Sequence, residues 1–291
     1  MPRGAVRKSD DGVRMERQGR LGSIIYSMGI MGLGLVSLLR LDAVPDLEPL
    51  PAWLPARTVV AILVAMLLVG GAVAIIINKR AARATLTVAT VLSAWLLLLH
   101  WPKVVMHPKN GGAWVVLWEV AAISVAAWML ALFALEREGS KPPRYAAPTL
   151  RIVLGLALVA FGISHFVYTG YVEIVIPAWI PAHRFFAYAT GAAHIAAGCS
   201  LLVRVQDQLA TALLAVMFGS WVVVLHIPRA LANPSHPNEW TSLLVAVCMC
   251  GTSLIARAFL RADAARATEG FPSPLANGVA TRTLAEPWRS R

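Results

Sequence analysis

Five side chains carry chemistry into stretches of this sequence that are otherwise apolar: His100, Glu119, His165, His194 and His226. A carboxyl or imidazole in hydrocarbon surroundings is costly, turns toward the interior of a helix bundle, and often marks a ligand site or a proton path. Imidazole is also the group that exchanges a proton most readily near neutral pH. His165 (in Gly-Ile-Ser-His-Phe), His194 (in Gly-Ala-Ala-His-Ile) and Glu119 are therefore candidates to hold a ligand or relay its protons. The competing reading for all three is a structural hydrogen bond between helices. His100 and His226 are each followed two residues later by a proline, and read most simply as interfacial histidines where a helix ends. His107, His183 and His236 fall in loops and read as solvated.

Several chemistries are set aside at this level. The chain has no GxxxxGK[ST], no GxGxxG and no HExxH, so no nucleotide, dinucleotide or metal site is expected. A bis-histidine haem needs two imidazoles at similar depth. Only the pair His100/His226 meets that condition without tilted or offset helices, and haem is not the expected cofactor. Cys199, Cys248 and Cys250 form no CxxC pair and no even set, and read as small apolar packing residues.

These residues must be positioned by a membrane fold. The 291 residues are 58% hydrophobic and 14% charged, with a mean hydropathy of +0.66. Soluble domains carry about 25% charge, and this chain has too little to cover a water-facing surface. Runs free of Asp, Glu, Lys and Arg cover 21–39, 58–78, 84–102, 152–172, 185–203, 208–228 and 240–256; an eighth, 110–135, is broken only by Glu119. A spanning helix needs about 20 apolar residues, and this count gives eight transmembrane helices. No cleavable leader is expected ahead of the first.

The net charge of +11 does not indicate nucleic acid, because the basic residues lie between apolar runs and in the tails rather than in a stripe. With the N-terminus inside, twenty of the 26 Lys and Arg fall on the cytoplasmic side. The positive-inside rule then places both termini in the cytoplasm and the chain in the inner (plasma) membrane. The expected organisation is a cytoplasmic tail over 1–20, a four-helix unit over 21–135, a linker over 136–149, a second four-helix unit over 150–261 and a disordered cytoplasmic tail over 262–291.

The two units are related. At an offset of 126 residues, Pro51, Trp53 and Pro55 fall on Pro177, Trp179 and Pro181; Trp95 falls on Trp221, His100 on His226, and Trp114 on Trp240. Four spans per unit is an even number, so the repeat is parallel, and the expected fold is all-α: two pseudo-symmetric four-helix bundles. The paired Pro-Ala-Trp-Leu/Ile-Pro motifs read as interfacial turns with a tryptophan anchor, since proline breaks the helix and tryptophan favours the headgroup level. His165, His194 and Glu119 fall opposite Leu39, Leu68 and Val245, so each belongs to one unit only.

The second unit resembles the DoxX-like family of bacterial membrane proteins. The resemblance rests on Gly155, the Gly162-x-x-His165-Phe166 element, the Pro177–Pro181 turn and the Gly191-x-x-His194 element opening a small-residue helix, and covers about residues 150–260. His194 stands where that family has glutamate. The resemblance implies a four-helix unit linked, in some members, to quinol oxidase or thiosulfate:quinone oxidoreductase complexes. It makes quinone the cofactor to consider, and other membrane or redox subunits the partners beside the lipid bilayer. An accessory role in quinone-linked electron transfer is the first expectation. A scaffold without chemistry of its own and a small-molecule permease are the alternatives.

Overall fold

The computed structural model describes residues 10–269. Backbone amides and carbonyls cannot be left unpaired in hydrocarbon, and the described chain meets this with helices; it contains no strand. The helices are α1 (Asp10–Arg40), α2 (Arg57–Ile76), α3 (Ala81–Met106), α4 (Gly111–Arg137), α5 (Ala146–Val167), the short α6 (Thr169–Val175), α7 (His183–Val203), α8 (Asp207–Ala232) and α9 (Pro237–Glu269). All but α6 are long and apolar enough to cross a bilayer, which makes this a multi-pass integral membrane protein.

Several expected boundaries move. The first helix begins at Asp10, so the second half of the presumed N-terminal tail is helical; α9 runs on to Glu269, eight residues into the presumed disordered tail. Residues 1–9 and 270–291 lie outside the described residues. Pro102 and Pro228 do not end their helices. In each case the chain passes through a π turn, Trp95–His100 in α3 and Val222–His226 in α8, and continues to Met106 and Ala232. A proline ring collides with the carbonyl four residues back. Wider i→i−5 bonds, Trp101 N–H to Leu96 O and Ile227 N–H to Val222 O, give that carbonyl room.

Details of the backbone recur at the same offset of 126 residues. Ala56 and Ala182, which precede α2 and α7, are both left-handed, with φ of 53° and 56°. So are Asn78 and Arg204, and Arg80 and Gln206, in the turns after those helices. The Trp114 indole donates to Pro108 O at 2.9 Å and the Trp240 indole to Pro234 O at 3.0 Å. The Pro51 and Pro177 carbonyls accept from Leu54 and Ile180 in matching turns that leave Trp53 and Trp179 exposed, as headgroup anchors require.

Packing does not stop at the unit boundary. α1 packs chiefly on α9, then on α2; α5 packs chiefly on α7; α4 lies against α3, α5 and α9. α4 and α9 are the most buried spans and α8 the least. Fully buried Tyr26, Ile30, Leu68, Ile123, Met129, Leu158, Leu201 and Ile255 form one continuous core, and the Tyr26 hydroxyl donates to Ile123 O at 2.9 Å, tying α1 to α4. Lipid offers no hydrophobic drive between helices, so close backbone approach through small residues does much of the holding. Between α5 and α7 that approach runs through Gly155, Gly162, Gly191 and Gly198: a Cβ on Gly198 would stand 2.6 Å from the Gly155 carbonyl oxygen, and one on Gly162 equally close to that of Gly191.

Candidate functional site

The polar interior groups collect in two places, both toward the end of the bundle that holds residues 41–56 and 168–182. The first lies between α5, α7 and α8. Because Gly191 carries no side chain, α7 approaches α5 where a Cβ would meet that of His165 at 2.8 Å. This brings the imidazoles of His165 and His194 to 5.3 Å between ring centroids, tilted by 35°. Sequence spacing alone placed these rings at different depths; the close crossing of α5 and α7 closes the gap. Phe161 and Phe218 wall the pair, with centroids 5.9 and 5.5 Å from that of His194.

His194 is buried at 4% exposure, and its Nδ1 lies 2.9 Å from the Thr190 carbonyl one turn back. A carbonyl only accepts, so Nδ1 carries the proton, and in the neutral ring Nε2 presents a lone pair. That nitrogen, like Nδ1 of His165, has no hydrogen-bond partner among the described residues. An unpaired buried acceptor costs about 1–3 kcal/mol. The small residues around His194 divide by role: Gly191 and Gly198 make the helix crossing, while Ala192, Ala193 and Ala196 are exposed on the face of α7 turned away from it.

The second place was not expected. Residues 41–56 fold back onto the bundle and bury Glu48, which is only 2% exposed. His100 holds this segment: its Nε2 lies 2.8 Å from the Leu47 carbonyl and donates to it, leaving Nδ1 without a partner. Neither Glu48 carboxyl oxygen completes a hydrogen bond among the described residues. Burial pushes the Glu48 pKa up to about 7, against the lowering influence of the Val44 amide, the Trp95 indole and, more distantly, Arg57. Arg57 is itself paired with Asp42 at 3.2 Å. A lone glutamate in a proline-rich loop reads as solvated. The available signal was the repeat, because Glu48 falls opposite Ile174.

The remaining candidates are dispersed. Glu119 is half-buried on α4 within electrostatic reach of Asp46, and makes no hydrogen bond or ion pair among the described residues. Asp46 instead accepts from Asn238 at 3.2 Å. His226 sits beside the Arg229–Glu239 ion pair, whose two bonds measure 2.9 and 2.7 Å, and its Nδ1 is unpartnered. His183, read as solvated, is half-buried with Nε2 3.2 Å from Pro177 O. No group of three or more His, Cys, Asp or Glu is placed to hold a metal ion among the described residues.

A family model for a domain of unknown function, DUF8561, matches residues 154–260. The match takes in most of α5, then α7, α8 and most of α9, and with them His165, His194 and His226; it leaves Glu48, His100 and Glu119 outside. No curated protein and no solved structure matches the chain.

Proposed function

We propose that this protein is a DoxX-like subunit of the inner membrane that binds the headgroup of a membrane-soluble quinol at His165 and His194. The observation that carries this reading is the juxtaposition of a buried imidazole, His194, with the half-buried imidazole of His165, each with a bare ring nitrogen, between aromatic walls inside a lipid-solvated bundle. A ligand for such a place must partition into lipid, stack against Phe161 and Phe218, and donate a hydrogen bond to the lone pair on His194 Nε2. A quinol ring with its hydroxyl has these properties. When the quinol is oxidised to the quinone, His194 Nε2 takes the proton of the hydroxyl it accepts from, His165 takes the second proton, and the two electrons go to a partner redox subunit.

The same reading gives the chain two four-helix units related by a pseudo-two-fold axis along the membrane normal, as the recurring turns, indole bonds and π turns support. Both termini are cytoplasmic, and the imidazole pair opens toward the opposite leaflet.

Two experiments test it. Quinone extracted from the full chain purified in mild detergent is expected in proportion to protein, retained in His226→Leu and lost in His194→Leu. Equal quinone in all three preparations overturns the binding reading. A cysteine at Ser140 is expected to react with membrane-impermeant maleimide only after lysis and one at Gly170 in intact cells; the reverse pattern overturns the orientation.

A further inference from the structure

At the end of the bundle away from both polar clusters, five elements enclose a cavity of about 400 Å³, within the range of ligand sites. Its floor is apolar, formed by Ile75, Leu130, Phe133, Ile255 and Ala258. Its mouth is cationic: Arg20 from α1, Arg137 from α4 and the Asn78 amide line it, and among the described residues no acid does. Arg20 is fixed in place by donating to the last carbonyls of α2, Ile75 O at 3.1 Å and Ile76 O, which still leaves guanidinium protons for another acceptor. Arg137 makes no hydrogen bond or ion pair among the described residues. The neighbouring acid, Glu136, is engaged by Arg266 at 2.6 Å.

The corresponding positions in the other unit carry a different charge pattern. At the 126-residue offset, Arg20, Asn78, Ala81 and Arg137 become Ala146, Arg204, Asp207 and Asp263. There Arg151, buried at 7%, lies within electrostatic reach of Arg204, Asp207 and Asp263. That unit has a buried guanidinium of its own, with acids in reach to balance it. Its counterpart leaves a cavity with Arg20 and Arg137 at the rim and no acid among the described lining residues.

We propose that this cavity binds an anionic phospholipid, with the phosphate between Arg20 and Arg137 and the first part of an acyl chain on the apolar floor. Charge complementarity selects the headgroup, because a guanidinium pairs with phosphate oxygens through parallel N–H donors. The floor selects an amphiphile over a bare anion. Basic pockets between transmembrane helices recognise lipid headgroups in this way. The inference does not depend on the imidazole site.

The test uses the full chain in detergent, with thermal stability read against added phosphatidylglycerol, phosphatidylcholine of the same chains, and inorganic phosphate. Phosphatidylglycerol is expected to raise the melting temperature in a saturable way and the other two are not. Arg137→Gln is expected to raise the half-saturating phosphatidylglycerol concentration about fivefold. Ala258→Phe, which fills the floor while keeping both arginines, abolishes the shift, and Arg83→Gln, an exposed cation nearby, leaves it unchanged. An equal shift with phosphatidylcholine, a shift reproduced by inorganic phosphate, or a shift indifferent to both Arg137→Gln and Ala258→Phe overturns the proposal. Quinone content is unaffected in every arm, so failure here is distinguishable from failure of the imidazole site.

Discussion

His100, at the end of the π turn of α3, donates through Nε2 to the carbonyl of Leu47, 53 residues earlier in the chain, at 2.8 Å. The π turn that accommodates Pro102 thus anchors the segment that buries Glu48. Removing the imidazole leaves a buried carbonyl unpaired, a loss of about 1–3 kcal/mol. His226, at the matching position, makes no hydrogen bond among the described residues. His100→Ala is therefore expected to lower the melting temperature in detergent clearly more than His226→Ala. Equal effects would show that the Leu47 contact contributes nothing.

Glu48 makes stability depend on pH. An unfolded glutamate ionises near 4.5 and this one near 7, so between those values the folded chain binds the extra proton. Stability is then full below about 4.5 and falls as pH rises through 7, the direction required when the native state holds more protons than the unfolded one. The charges nearby are Asp42, which adds to the rise, and Arg57, which opposes it. The penalty for ionising Glu48 is on the order of 3 kcal/mol at neutral pH. Melting curves of the wild type are expected to drop between pH 5 and pH 8, and those of Glu48→Gln to stay flatter. A parallel drop in both places the titration elsewhere.

Eight apolar stretches and a 126-residue repeat were legible in the sequence because lipid imposes long runs, and because tryptophan, histidine and proline coincide rarely by chance. The pairing of His165 with His194 was only half legible. Both residues stood out as polar groups in spans, yet their contact depends on how closely Gly162 and Gly191 let two helices cross, which periodicity does not encode. The π turns were hidden for a related reason: proline marks trouble for a helix, but whether the chain stops or widens is decided by packing on both sides. Glu48 was missed because loops are assumed wet, whereas Ala43, Val44, Leu47 and Glu48 are turned inward.

His194→Leu separates ligand binding from folding. The matching residue in the first unit is Leu68, fully buried on α2, so the repeat already accommodates leucine there. The substitution removes a buried nitrogen that lacks a partner and exchanges one apolar-walled shape for a similar one. A stability change within about 1 kcal/mol of wild type is expected, in either direction. Melting temperature should hold while quinone content is lost. A large drop in melting temperature would mean that the imidazole is structural.

The glycines that cross α5 with α7 set the geometry of the imidazole pair. Gly198 faces the Gly155 carbonyl oxygen at 2.6 Å from an added Cβ, and the Val159 amide at 2.9 Å, so the obstruction is backbone and cannot swing aside. Gly198→Ala is expected to push the helices apart and to cost about 1–3 kcal/mol through overpacking. Gly70, on the exposed face of α2, has nothing within 4 Å of an added Cβ. Gly70→Ala should therefore be neutral, or stabilising by up to about 1 kcal/mol through helix propensity. The two glycines thus predict opposite shifts in melting temperature for the same added methyl group. Because the crossing also holds His165 against His194, which lies about one turn from Gly198, Gly198→Ala should lower quinone content as well, whereas Gly70→Ala should not. If the two variants melt alike, α5 and α7 are not held at the distance on which the imidazole pair depends.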